Sequence, residues 1–141
     1  MFTFAIPNYT SMKNLQPLYQ NLGHLFYSIA AADKNINPKE IQELNQAVQK
    51  SWLAYDDSTD EYGTDAANYI NIAFEYLTET APTADDAYQQ FEAFYIDNRE
   101  LFTKELKNQI IDTASNIGHA FAGINKAELN KMAALTLLFN K

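Results

Sequence analysis

The sequence predicts an all-α protein: one compact bundle of about six helices formed by residues 1–141 as a single domain. Three observations lead there. Apolar residues recur at spacings of three and four along most of the chain, the period of one helix face. No segment sustains a two-residue alternation, and no tight hairpin signal lies between two strand-like runs. A short signal also occurs twice, INPKEI at 36–41 and INKAEL at 124–129. Its shared pattern, Ile-Asn-x-x-Glu-[Ile/Leu], puts Asn three residues before Glu, close to the capping box that opens a helix. Two related helix–turn–helix units are therefore expected, one near each end of the domain.

The first helix is expected to run from after Pro7 to about Asp33, with Leu15, Leu18, Leu22, Leu25, Phe26 and Ile29 as its apolar stripe. An interior proline breaks a helix, so Pro17 is expected in the first turn or just before a later start. Asn37 caps the second helix, with Pro38 at its first position, where a missing N–H costs nothing. Ile41, Leu44, Val48 and Trp52 form its buried stripe. The segment YDDSTDEYGTD at 55–65 has no apolar period and is expected to be a loop. A third helix starts at Thr64 or Asp65, with Ala66, Tyr69, Ile70, Ala73, Phe74 and Leu77 inward. Thr83 caps a fourth, whose Asp85 and Asp86 suit its positive N-terminal end. Ala87, Tyr88, Phe91, Phe94 and Tyr95 are its stripe. After a connector at 98–102, Thr103 caps a fifth helix carrying Leu106, Ile110, Ala114, Ile117 and Phe121, and Gly123 suits the residue past its end. Asn125 caps a sixth, with Leu129, Met132, Ala133, Leu135 and Phe139 inward.

Charge is the other strong signal. The net charge is −8, and residues 51–98 hold eleven acids with no Lys or Arg, a local charge of −11. The remainder, with ten basic and seven acidic residues, carries +3. Such a field repels nucleic acid and anionic membranes and attracts cations or a basic protein. The plain alternative is a solvated, solubilising face. The absence of cysteine excludes disulfides, thiolate metal sites and cysteine nucleophiles. No basic start followed by an apolar run marks a signal peptide, and no apolar stretch approaches membrane-spanning length. A soluble cytoplasmic protein is the expectation.

The segment AAADKNINPKEI at 30–41 resembles the signature of TerB-like domains, named for bacterial tellurite-resistance proteins. The matching features are the small-residue helix end Ala30–Ala32, Asp33, Ile36 and the helix-opening Glu40. AGINKAEL at 122–129 resembles the family's C-terminal turn, and WLAYDDSTDEYGTDAA at 52–67 is similar to a subgroup of TerB-like proteins. The resemblance implies an all-helical fold with two related halves, an acidic cluster associated with divalent cations, a stress or tellurite-resistance setting, and no established reaction. Two departures bear on the metal: Lys34 stands where Gly is usual, and the second turn has Gly123 without a neighbouring Asp.

Two acidic groups are the candidate sites. Asp33 and Glu40 flank the first turn and Glu128 the second; if the turns meet, three carboxylates converge as oxygen ligands for Ca²⁺ or Mg²⁺. The competing explanation is capping, with both Glu side chains bonding back to backbone N–H groups. The second group is the loop set Asp56, Asp57, Asp60, Glu61 and Asp65, an interaction loop or irregular cation site. It is not an EF-hand, because Glu61 replaces the turn glycine and Ala67 the bidentate glutamate. His24 and His119 share no metal-binding spacing, and no nucleophile or phosphate-loop motif occurs. Three readings follow: a non-enzymatic module that binds a divalent cation or basic protein partner, a small carboxylate-dependent hydrolase assisted by metal, and an acidic inhibitor or immunity-like protein. The oligomeric state stays open between monomer and dimer.

Overall fold

A computed structural model describes residues 7–33, 46–48, 50–52, 66–120 and 126–140, with side chains at 16–32, 46–48, 50–52, 68–118 and 130–140. Helix α1 spans Pro7–Ala30 and runs on as a 3₁₀ turn at Ala31–Asp33. Helical residues 46–48 and 50–52 form α2. Then come α3 (Ala66–Thr80), α4 (Ala84–Asp97), a 3₁₀ turn at Arg99–Leu101, α5 (Lys104–Ala120) and α6 (Lys126–Phe139). Among the described residues there are six helices packed as a compact bundle, and no strand. None of these helices is long and apolar enough to cross a membrane.

Helix α1 is the hub, packing against α3, α4, α5 and α6. The expected stripe is buried, but so is everything from Leu25 to Ala31, including Tyr27, Ser28 and Ala30. A helical stretch buried all round sits inside a bundle rather than on one side of it, and here that stretch is the C-terminal part of α1. Its one polar side chain in that run, Ser28, donates to the Leu25 carbonyl at 2.6 Å, so no hydroxyl is stranded there. Pro17 lies inside α1, not at its start. Its ring removes one intrahelical donor. The position is exposed, and the Asn21 amide donates to the Pro17 carbonyl at 2.9 Å.

Close approach explains a second irregularity. Gly23 is mid-helix, where glycine costs about 1 kcal/mol relative to alanine. A Cβ there would stand 2.6 Å from the Ala73 Cβ and 2.9 Å from the Ile70 carbonyl oxygen on α3. The pair Gly23/Ala73 is thus where α1 and α3 touch backbone to backbone.

The caps predicted at Thr83 and Thr103 both form. Thr83 Oγ1 accepts from Asp86 N at 3.0 Å and Thr103 Oγ1 from Leu106 N at 3.1 Å. The connector at 98–102 contributes more than a link, since Phe102 is buried against Phe91, Phe94, Tyr95 and Phe139 in a cluster of tilted and edge-on rings. Lys107 closes this end by donating to the Phe139 carbonyl at 3.0 Å. On α2, Val48 and Trp52 are buried as expected, and Trp52 Nε1 donates to Thr113 Oγ1 of α5 at 3.1 Å. On α6, Ala133 is exposed and Leu138 takes the inward place beside Leu135 and Phe139. Tyr76, outside the predicted inward set of α3, is 63% exposed.

Candidate interaction surface

Asp33 closes the 3₁₀ turn after α1, and that turn packs against α6, the helix whose first turn carries Glu128. The first helix–turn unit and the last helix are therefore neighbours in backbone. The side chains of Asp33, Glu128 and His119, and the whole of Glu40, Asn37 and Asn125, lie outside the described residues. So does the acidic loop with Asp56, Asp57, Asp60, Glu61 and Asp65. Among the described residues, no group of three or more His, Asp or Glu side chains is arranged to hold a metal ion.

What the described residues do display is the rest of the acidic segment. Helices α3 and α4 contain no Lys, Arg or His, and Glu75, Glu79, Asp85, Asp86 and Asp97 are exposed on them. Both helices pack on α1 rather than on each other. They straddle it, and a groove of about 650 Å³ lies between them, lined by Leu77, Thr80, Asp86, Gln90 and Ala93 with His24 of α1 beneath. Asp86, Gln90, Ala93 and Asp97 follow at spacings of four, three and four, so they share one face of α4. On the opposite wall α3 contributes Leu77 and Thr80, and Ile72 and Tyr76 are exposed on the outer side of the same helix.

One end of the groove is shut by the α3–α4 turn. Tyr27 donates to the Pro82 carbonyl at 2.9 Å, tying that turn to α1, and burial pushes the Tyr27 phenol above its ordinary range. Ala81 in the turn is held at φ 52°, a left-handed conformation normally left to glycine, while its N–H bonds the Leu77 carbonyl and ends α3. In the groove floor, His24 Nδ1 sits 3.1 Å from the Gln20 carbonyl oxygen. A carbonyl only accepts, so Nδ1 donates in this contact.

A second cleft, of about 1140 Å³, opens on the other side of the turn, between α4 and α6. Lys131 pairs there with Asp85 and lies over the Tyr88 ring, 5.3 Å from its centre. That pairing holds the Asp85 carboxyl below the usual carboxylate range, through the hydrogen bond first and the charge second. The Tyr88 hydroxyl is buried without a hydrogen-bond partner among the described residues. Burial first, and Glu92 second, push it up to about 12.

Sequence reasoning missed the groove. Its signals were present: two consecutive helices without a basic residue, and the row Pro17, Gln20, Asn21 and His24 on the face of α1 opposite its apolar stripe. Comparison with protein-family models, with curated proteins and with solved structures finds no match.

Proposed function

We propose that this chain is a non-enzymatic, TerB-like helical module that binds a basic protein partner through its acidic middle third. The observation that carries the reading is the exposure of five carboxylates on α3 and α4, two helices without a single Lys or Arg. Exposed acids keep their charge and meet cations with little desolvation, which suits attraction and steering of a partner. Buried, convergent acids with displaced pKa values would suit acid–base catalysis instead. The TerB-like part of the reading is supported by the signal at 30–41, its partner at 122–129 and the six-helix layout.

Calorimetric titration with a lysine-rich peptide at low and physiological salt tests it. Binding is expected to weaken with salt and to fade when the α3 and α4 acids become amides. Heat that is absent at both salts sinks the reading. Parallel titrations with Ca²⁺ and Mg²⁺ test the turn site at Asp33, Glu40 and Glu128, where a melting shift abolished by Asp33→Asn would place a cation.

A further inference from the structure

We infer that the cleft between α4 and α6 is a binding site for a small organic carboxylate with an apolar body, a role independent of the acidic-partner reading. Space is the first argument. At one end the two helices meet through rings, with the centres of Phe91 and Tyr95 lying 6.2 and 5.3 Å from that of Phe139. Toward the N-terminal halves of both helices the facing residues shrink. Ala31, Ala81, Ala84 and Ala134 line a cleft of about 1140 Å³ there, together with Tyr27 and Tyr88. An apolar cleft of that order with a few polar groups on its wall is what a small molecule occupies.

Unmet hydrogen bonding sets the polarity of the ligand. Tyr88 is 8% exposed, and its buried hydroxyl has no hydrogen-bond partner among the described residues. Lys131 is the second donor: its side chain is 16% exposed, and its ammonium lies over the Tyr88 ring. The N–H groups of Ala84 and Asp85, in the first turn of α4, have no partner within the helix. A hydroxyl without an acceptor, an ammonium and two such N–H groups all call for an acceptor, and a carboxylate accepts through two oxygens.

Asp85 already shows the chemistry. Its own carboxylate pairs with Lys131, from a side chain that is 77% exposed. An exposed pair holds weakly, so an incoming carboxylate takes that place while Asp85 turns to water. The net charge of −8 opposes any anion at long range. Burial of an apolar body against the alanines supplies the rest of the hold, which selects an organic acid over acetate or inorganic phosphate.

The test uses the full chain with octanoate, and with octanol, octylamine and acetate as comparisons, at neutral pH and fixed salt. Amide shift changes are expected at Ala84, Asp85, Tyr88 and Lys131. Octanoate should bind at least about tenfold more tightly than octanol, and acetate should leave the shifts in place. Lys131→Met is expected to abolish the preference for octanoate over octanol. Tyr88→Phe is expected to weaken octanoate about tenfold while the urea midpoint of the free chain holds or rises, a split that a packing role alone does not give. Asp85→Asn is expected to tighten octanoate about threefold, because the competing carboxylate is gone. That change is at an exposed position, so it keeps the test decisive if Lys131→Met fails to fold.

Octanol or octylamine binding as tightly as octanoate, or shifts confined to residues away from the cleft, would overturn the assignment. So would unchanged octanoate affinity in Tyr88→Phe, or weaker binding in Asp85→Asn. Each of these leaves the acidic-partner reading standing, because its probe is a lysine-rich peptide.

Discussion

Replacing Gly23 with alanine sets two physical effects against each other with opposite signs. Helix propensity alone favours alanine by about 1 kcal/mol in a helix interior. The structure says the contact wins. The added Cβ would stand 2.6 Å from the Ala73 Cβ, 2.9 Å from the Ile70 carbonyl oxygen and 3.3 Å from the Phe74 nitrogen. Two of these three neighbours are backbone atoms and cannot swing aside. Normal contact requires α3 to retreat from α1 by about 1 Å, and a gap of that size forfeits about a quarter to a half of each dispersion contact it opens. The α1–α3 seam also buries Leu22, Phe26, Ile70 and Phe74, so many contacts feel the retreat.

Overpacking of this kind costs about 1–3 kcal/mol. Two rigid backbone neighbours put this site in the upper part of that range, about 2–3 kcal/mol, so net of propensity Gly23→Ala is expected to lose about 1–2 kcal/mol, which lowers the melting temperature by about 3–8 °C for a chain of this length. Urea denaturation followed by circular dichroism measures it. Ala73→Gly in the same background removes the nearest clash but leaves the Ile70 carbonyl in place. The alanine at 23 should therefore cost less there, by about 1 kcal/mol, without becoming free. A Gly23→Ala variant with an unchanged or higher urea midpoint would refute the close-approach argument, because propensity would then have decided the outcome.

Other perturbations follow from single groups. Tyr88→Phe removes a buried hydroxyl that has no partner among the described residues, so the urea midpoint at neutral pH should hold or rise, by up to about 1 kcal/mol. The same variant should flatten the alkaline side of the stability curve. Below pH 10 both states keep the proton; between pH 10 and about 12 the unfolded chain releases it while the folded chain holds it. Stability therefore falls as pH rises through that window, by about 2 kcal/mol for Tyr88, and midpoints at about pH 9 and 11.5 measure the difference. Ala81→Gly relieves the left-handed residue at φ 52° and should raise the melting temperature by the equivalent of about 0.5–1 kcal/mol. Thr113→Val deletes the acceptor of the Trp52 indole and should cost about 1–2 kcal/mol, with a shift in emission from the chain's single tryptophan.

What the sequence made legible was local. Thr83 and Thr103 cap their helices because a side chain bonding three residues ahead needs no information from elsewhere. Val48, Trp52, Phe74, Leu106 and Ile110 are buried because a three-and-four spacing already selects one face. The misreadings are tertiary. Nothing within α1 says that its last two turns will be enclosed on all sides, so Tyr27, Ser28 and Ala30 fall outside an amphipathic stripe and are buried anyway. Local chemistry penalises Pro17 inside a helix and points to a helix start; an exposed position inside α1 accommodates it. The groove was the least visible feature. It exists because α3 and α4 each choose α1 over one another, a fact about three helices that no single window contains.

Two placements separate a merely soluble acidic surface from one shaped by a partner. Carboxylates favour the N-terminal end of a helix, as Asp85 and Asp86 do on α4. Glu79 and Asp97 do the reverse. Each sits in the last turn of its helix, at the negative end of the dipole, and neither last turn contains a basic residue. Such a placement costs about 0.3–1 kcal/mol at low salt. Lysine at either position would serve solubility and stability together, so solubility alone does not account for acids there. Local rules broken without local compensation are expected where a surface answers to something other than folding. The consequence is a pair of opposite signs in one variant. Glu79→Gln with Asp97→Asn should raise the melting temperature of the free chain, with the gain shrinking as salt screens the dipole, and should weaken its hold on a lysine-rich peptide. If stability falls or is indifferent to the change at low salt, the acids are not held against the helix ends at a cost; if binding of the peptide is unchanged, the surface is only solvated.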